Sequence, residues 1–184
     1  GRPAGSIVGA PGRCSDAGYY GNYVPTPTYS TWMLLSLYEQ ATNLPPAFRQ
    51  AVREEACYSL RWLLAMQDPE SGAVAHKLTT ARHAPKVMPH QDRAPRLLIG
   101  HSTAAAWGLA AVGAQAARLL RAEVPALADS CLQVAQRAWE WGLAHPEVAF
   151  SNPPDIHTGP CKDFTFSDER AWAGVALYQA TGDR

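Results

Sequence analysis

The chain has 184 residues, 47% hydrophobic and 17% charged, with 16 basic against 16 acidic side chains and a formal net charge of zero. That is the composition of one globular domain with room for a core, not of a disordered chain. The balanced charge gives no electrostatic reason to expect nucleic acid or an anionic membrane as partner, and no apolar run reaches the roughly 18 residues of a membrane-spanning helix.

The first notable stretch is "GRCSDAGYYGNY", Gly12 to Tyr23, which sets a single carboxylate, Asp16, among small residues and three tyrosines. After Pro27 comes "TYSTWMLLSLYEQAT", a dense apolar run between Thr28 and the Asn43-Leu44-Pro45-Pro46 stop, which predicts a helix. A second helix is predicted from about Pro46 to Gln67, where Phe48, Val52, Ala56, Leu60 and Leu64 recur every fourth residue and share a face. A proline-punctuated loop, Asp68 to Ile99, follows; loops this long in compact domains are usually functional. The third helix, about Ser102 to Arg121, is rich in alanine and glycine all round, which suits close packing against several neighbours. The fourth, about Pro125 to Ala144, places Leu127, Cys131, Val134, Ala135, Ala138, Trp141 and Gly142 on one stripe. After the irregular "SNPPDIHTGPCKDFTF", Ser167 is the expected N-cap of a fifth helix, with Asp168 and Glu169 in the first turn where the helix dipole favours acids.

There is very little strand signal, no fixed-period repeat, no phosphate-binding glycine loop and no nucleophile elbow. Five helices with polar and aromatic loops suit a helical bundle or one side of a barrel of helices, with function on the loop cluster. Cys14, Cys57, Cys131 and Cys161 form no CxxC pair, and Cys57 and Cys131 fall in helical patterns as buried thiols. His83, His90, His101 and His157 are scattered on loops without metal-ligand spacing. All six tryptophans, Trp32, Trp62, Trp107, Trp139, Trp141 and Trp172, lie on predicted helices, which points to core packing before sugar stacking. The opening at Gly1 and the stop at "YQATGDR" read as an excised piece of a longer chain.

Five segments together resemble one family. "DAGYYGNYVPTPTYSTWMLLSLYE" resembles the Asp-Ala-Gly-Asp loop and first barrel helix of glycoside hydrolase family 9, the cellulases also called endoglucanase E. "LRWLLAMQDPESGAVAHKLTT", "HSTAAAWGLAAVGAQAARLL", "CLQVAQRAWEW" and "SDERAWAGVALYQATGD" are similar to later segments of that family, in the same order, from Asp16 to Asp183. The resemblance implies an all-α fold, a partial (α/α)6 barrel of which this chain supplies about the first five helices, residues 1–184 being a fragment of a single catalytic domain. It implies a β-linked oligo- or polysaccharide as partner, no organic cofactor, and a secreted or periplasmic location.

Members of the family cleave β-1,4-linked glucan with inversion. That chemistry needs an acid for the leaving oxygen and a base for the attacking water, about 6.5–9.5 Å apart. Carried over, Asp16 matches the first aspartate, which helps hold the water, and Tyr19 stands at the usual base position. A phenol with an ordinary pKa near 10 is poorly suited to that task at neutral pH. The acid glutamate of the family has no counterpart within these residues, so the chain is expected to be inactive by itself. His76 matches a histidine that lines the sugar cleft. A structural calcium is implied at Asp168 and Glu169, with the carbonyls of Phe164 and Thr165, a set of hard oxygen ligands. Ser15 replaces a histidine that binds zinc in some members, so no zinc is expected. Alternative readings are a non-catalytic carbohydrate-binding remnant, a relative acting on glucosaminide-type β-glycans and, ranked last, a purely structural helical protein.

Overall fold

A computed structural model describes residues 5–9 and 20–183. In chain order it contains β1 (Asn22–Tyr23), α1 (Pro25–Gln40), α2 (Pro46–Ala65), β2 (Ala75–Thr79), a 3-10 turn (Pro89–Gln91), β3 (Leu97–His101), α3 (Thr103–Leu120), α4 (Pro125–Ala144) and α5 (Ser167–Thr181).

Helix α1 begins at Pro25, three residues before the expected start at Thr28. Proline is tolerated in a first turn because its missing N–H would have had no partner there, and the Thr28 hydroxyl donates to the Pro25 carbonyl at 2.7 Å. Helix α2 buries Val52, Ala56 and Leu60 of its predicted face, while Phe48 at its start is exposed. At the head of α5 the cap is Phe166, without a side-chain bond, and Ser167 is the first helical residue instead of the cap. Gly182, with φ of +80°, closes that helix in the left-handed conformation that glycine adopts without strain.

Helix α3 is the centre of the molecule. Every residue from Thr103 to Ala117 is buried, as is Leu120, and the helix packs most extensively on α4 and α5, then on α1. Small side chains make such all-round contact feasible. A Cβ on Gly108 would sit 2.9 Å from Thr28 Oγ1, and one on Gly113 3.0 Å from the Cys131 carbonyl oxygen. Polar clasps join the same helices: Arg118 holds Glu39 of α1 through two bonds of 2.6 and 3.0 Å, and Thr31 of α1 meets Ser59 of α2 at 2.7 Å. Trp62 and Trp107 are in the core; Trp32, Trp139, Trp141 and Trp172 are partly buried against it.

The segment read as one long loop contains most of a three-stranded antiparallel sheet in the order β1-β2-β3. Asn22 and Tyr23 pair with Leu78 and Lys77, and Ala75 to Thr79 pair with Leu97 to His101. The sheet connects Asn22 and Tyr23 to the start of α3.

Candidate functional site

Asp16 and Tyr19 lie outside the described residues. The site is therefore built from the strand that follows them, from β2, and from the connection between α4 and α5.

Tyr20 has φ of +57° and its hydroxyl donates to the Val87 carbonyl at 2.5 Å. A left-handed tyrosine is uncommon and is held here by its surroundings. Three residues on, buried Tyr23 donates its hydroxyl to the Gly159 carbonyl at 2.7 Å, so the end of the carboxylate-bearing stretch is tied directly to the α4–α5 connection.

His76 is 1% exposed. Its Nε2 faces the carbonyl oxygens of Pro160 and Cys161, both at 3.1 Å. Carbonyls only accept, so Nε2 carries the proton and Nδ1 accepts from the Ser102 hydroxyl at 2.8 Å. Ser102 Oγ in turn accepts from the Ala105 amide and caps α3. The ring stacks on Phe150 with centroids 4.0 Å apart and meets Tyr23 edge-on. Burial pushes the imidazole pKa down to about 4; the two carbonyls oppose that fall and the neighbouring Lys77 adds to it. His76 is thus neutral at pH 7, with both nitrogens engaged by protein and no free edge toward solvent.

Gly100 explains how Phe150 reaches this position. It has φ of +61°, and a Cβ there would lie 2.6 Å from the Phe150 ring. Only glycine suits both demands.

Lys77 is fully buried. Its Nζ donates to Asn152 Oδ1 at 2.7 Å, Thr158 Oγ1 at 3.1 Å and the Gly159 carbonyl at 2.7 Å. The rings of Tyr23 and Phe150 lie 5.4 and 5.2 Å from it. Thr79 reaches Thr158 at 2.9 Å, Asn152 donates to the Thr158 carbonyl at 2.6 Å, and the His157 amide donates to Ala81 at 2.8 Å. Side chains of β1 and β2 therefore hold Asn152 and residues 158–161 of this connection. Tyr23, Lys77, Thr79, Asn152 and Thr158 carry no sequence signal for this role beyond the polar character of "HKLTT".

The Asp168–Glu169 pair opens α5. Asp168 is exposed and Glu169 half-buried, with one carboxylate oxygen, Oε2, buried and without a hydrogen-bond partner. Burial first of all, then the neighbouring Asp168 and Asp163, push the Glu169 pKa up to about 7. Asp163, which sequence reasoning did not single out, also accepts from the amides of Phe164 (2.7 Å) and Thr165 (3.3 Å). The Phe164 side chain is 75% exposed. A partnerless buried oxygen near two further acids fits a divalent cation, whose charge would favour the ionised carboxylate against the burial and the lesser repulsion that raise its pKa. Among the described residues no three His, Cys, Asp or Glu side chains converge as a metal site, so carbonyl oxygens would have to complete the set.

The family model of glycosyl hydrolase family 9 matches residues 11–184. The xyloglucan-specific endo-β-1,4-glucanase BoGH9A of Bacteroides ovatus is 34% identical over 98% of this chain, which spans 34% of that protein. A thermostable endoglucanase from Alicyclobacillus acidocaldarius superposes with a TM-score of 0.86 at 36% identity, over 96% of this chain and 36% of its own. The structure of AaCel9A in complex with cellobiose-like isofagomine gives 0.80 at 38% identity, over 91% and 34%. The helices therefore correspond to part of an (α/α)6 barrel, and the chain spans about a third of the length of these relatives.

Proposed function

Since the chain belongs to glycosyl hydrolase family 9, we propose that it is part of a catalytic domain that cleaves β-1,4-linked glucan with inversion, and that as written it does not turn over. The observation that carries the first half is the family match across residues 11–184, together with a relative named as an endo-β-1,4-glucanase. The second half rests on Tyr19 at the base position, where a carboxylate is needed to accept a proton from water near neutral pH. Asp16 retains an acceptor in the same stretch and would orient the water. A β-linked oligosaccharide is the proposed partner, supported by the relative solved with a cellobiose-like ligand. Export from the cytoplasm is proposed from the polymeric nature of that substrate; among the described residues no helix is long and apolar enough to cross a membrane.

In this reading His76 acts from beneath the cleft. Neutral and doubly bonded, it fixes the Pro160 and Cys161 backbone and does not move a proton. Calcium is proposed at Asp168 and Glu169 with the carbonyls of Phe164 and Thr165. When bound it would supply positive charge that holds the start of α5, away from proton transfer.

The test is release of reducing sugar from carboxymethylcellulose. No release is expected from this chain, and measurable release would overturn the inactivity. In the complete protein Tyr19→Asp is expected to raise hydrolysis by at least about a hundredfold, the scale of a positioned general base. Unchanged hydrolysis would show that position 19 is not the base position. Cellohexaose binding without hydrolysis in the complete protein, both before and after that substitution, would favour the carbohydrate-binding remnant.

A further inference from the structure

Helices α4 and α5 both lean on α3 and barely touch each other, which leaves a groove between them. Two cavities of about 1050 and 660 Å³ lie along it and share Trp139 and Gly174 as a common wall. The α5 side of the groove shows Ala171, Gly174, Val175 and Tyr178, the spacing of one helix face. Val175 is 58% and Tyr178 49% exposed, an apolar strip that association would cover. Ala171 and Gly174 carry little or no side chain, so a second backbone can approach closely there.

The two ends of this strip carry opposite charges. Arg170, exposed, stands at its start, and Asp183, exposed, stands just past the Gly182 cap with Glu140 of α4 on the same cavity wall. Among the described residues no ion pair engages Arg170 or Asp183; the Arg170 guanidinium lies 5.9 Å over the Trp107 ring. Glu147, on the far wall near Arg170, is the one acid at that end of the groove. Arg170 stands as far before Val175 as Asp183 stands after Tyr178. A two-fold axis midway between Val175 and Tyr178 therefore lays a second α5 antiparallel on the first. Each Val175 then meets the partner's Tyr178, and each Arg170 meets the partner's Asp183. Self-complementarity of that kind, apolar centre against apolar centre and charge against opposite charge, is what a two-fold contact requires.

We propose that the exposed face of α5 is an interface with a second copy of this chain, forming a closed two-fold dimer in which α5 pairs with α5. The dimer is independent of the function proposed above.

The test is sedimentation equilibrium of the chain, of Arg170→Glu, of Asp183→Arg and of an equimolar mixture of those two variants. All carry Met33→Glu, which removes the exposed Met33 of α1 as a second source of association. The chain is expected to sediment as a dimer. Each charge reversal alone turns both end pairs repulsive and is expected to weaken that dimer about tenfold or more. The mixture is expected to regain the parent's dimer affinity, because each variant then carries the charges that the other lacks. A monomeric parent overturns the proposal, since the face is then left for some other occupant. Single variants that dimerise as tightly as the parent overturn it too, as does a mixture as weak as its components. Assembly that continues past the dimer also overturns it, because a two-fold contact closes on itself. Should a charge reversal not fold, Val175→Glu places a like charge beside the axis in both copies. A monomer then supports the proposal, and an unchanged dimer overturns it.

Discussion

His76 and Glu169 titrate in opposite senses over overlapping ranges. His76 falls from 6.5 to about 4 on folding, so between those values the unfolded chain binds a proton that the fold refuses. Its stabilising contribution, about 3 kcal/mol at this buried site, is complete above pH 6.5 and is lost as pH falls toward 4. Glu169 rises from 4.5 to about 7, so the fold keeps a proton that the unfolded chain releases. Its contribution is complete below pH 4.5 and is lost as pH rises through 7. In the parent chain the two slopes oppose each other between pH 4.5 and 6.5. Urea unfolding across pH 4–8 is expected to show stability falling with pH in His76→Gln and rising with pH in Glu169→Gln. Added calcium at pH 7.5 is expected to raise the melting temperature of the parent and not of Glu169→Gln, since the amide cannot supply a second anionic oxygen. Neither shift is legible in the sequence. His76 is one histidine among six there, and the burial that lowers its pKa is made by distant segments: even the carbonyls at 160 and 161 that oppose the shift lie 84 and 85 residues away.

At the scale of the helices, two glycines make opposite predictions. A Cβ on Gly142 of α4 would collide with the Trp107 indole of α3, whereas one on Gly174 of α5 would rest 3.6 Å from Trp139, an ordinary contact. Gly142→Ala is expected to destabilise by about 2 kcal/mol through overpacking. Gly174→Ala is expected to be neutral or to stabilise by up to about 1 kcal/mol, because alanine is the better helix former. Chemical denaturation followed by tryptophan fluorescence checks both. The helices themselves were legible: α4 runs from Pro125 to Ala144 as the sequence predicts, because proline start signals and four-residue periodicity are local. The strands were not. Ala75 to Thr79 places a histidine, a lysine and a threonine in buried positions, so the alternation that reveals a half-buried strand is missing. Their partners come from distant segments. The expected cap at Ser167 gives way to Phe166, which the chain reaches after Asp163 has bound the Phe164 and Thr165 amides.

Across the whole molecule, apolar side chains remain uncovered. Tyr29, Met33 and Leu37 are exposed at four-residue intervals along α1, and Val175 and Tyr178 are exposed on α5. Such a stripe favours association. Sedimentation of the chain is expected to show concentration-dependent self-association that Met33→Glu reduces; a concentration-independent monomer would contradict it. The family and the barrel were legible because five motifs are collinear along the chain. The site was legible only in its residue types, since which carbonyl each side chain holds depends on how the connections fold over the sheet. The sealed environment of α3 has a consequence for sequence variation. Enclosed by neighbours on every side from Thr103 to Ala117, this segment has no direction in which a longer side chain can be accommodated. In a randomly mutated population selected only for soluble protein, it should stand out as a band where replacements are confined to the smallest residues, while the outer helices drift.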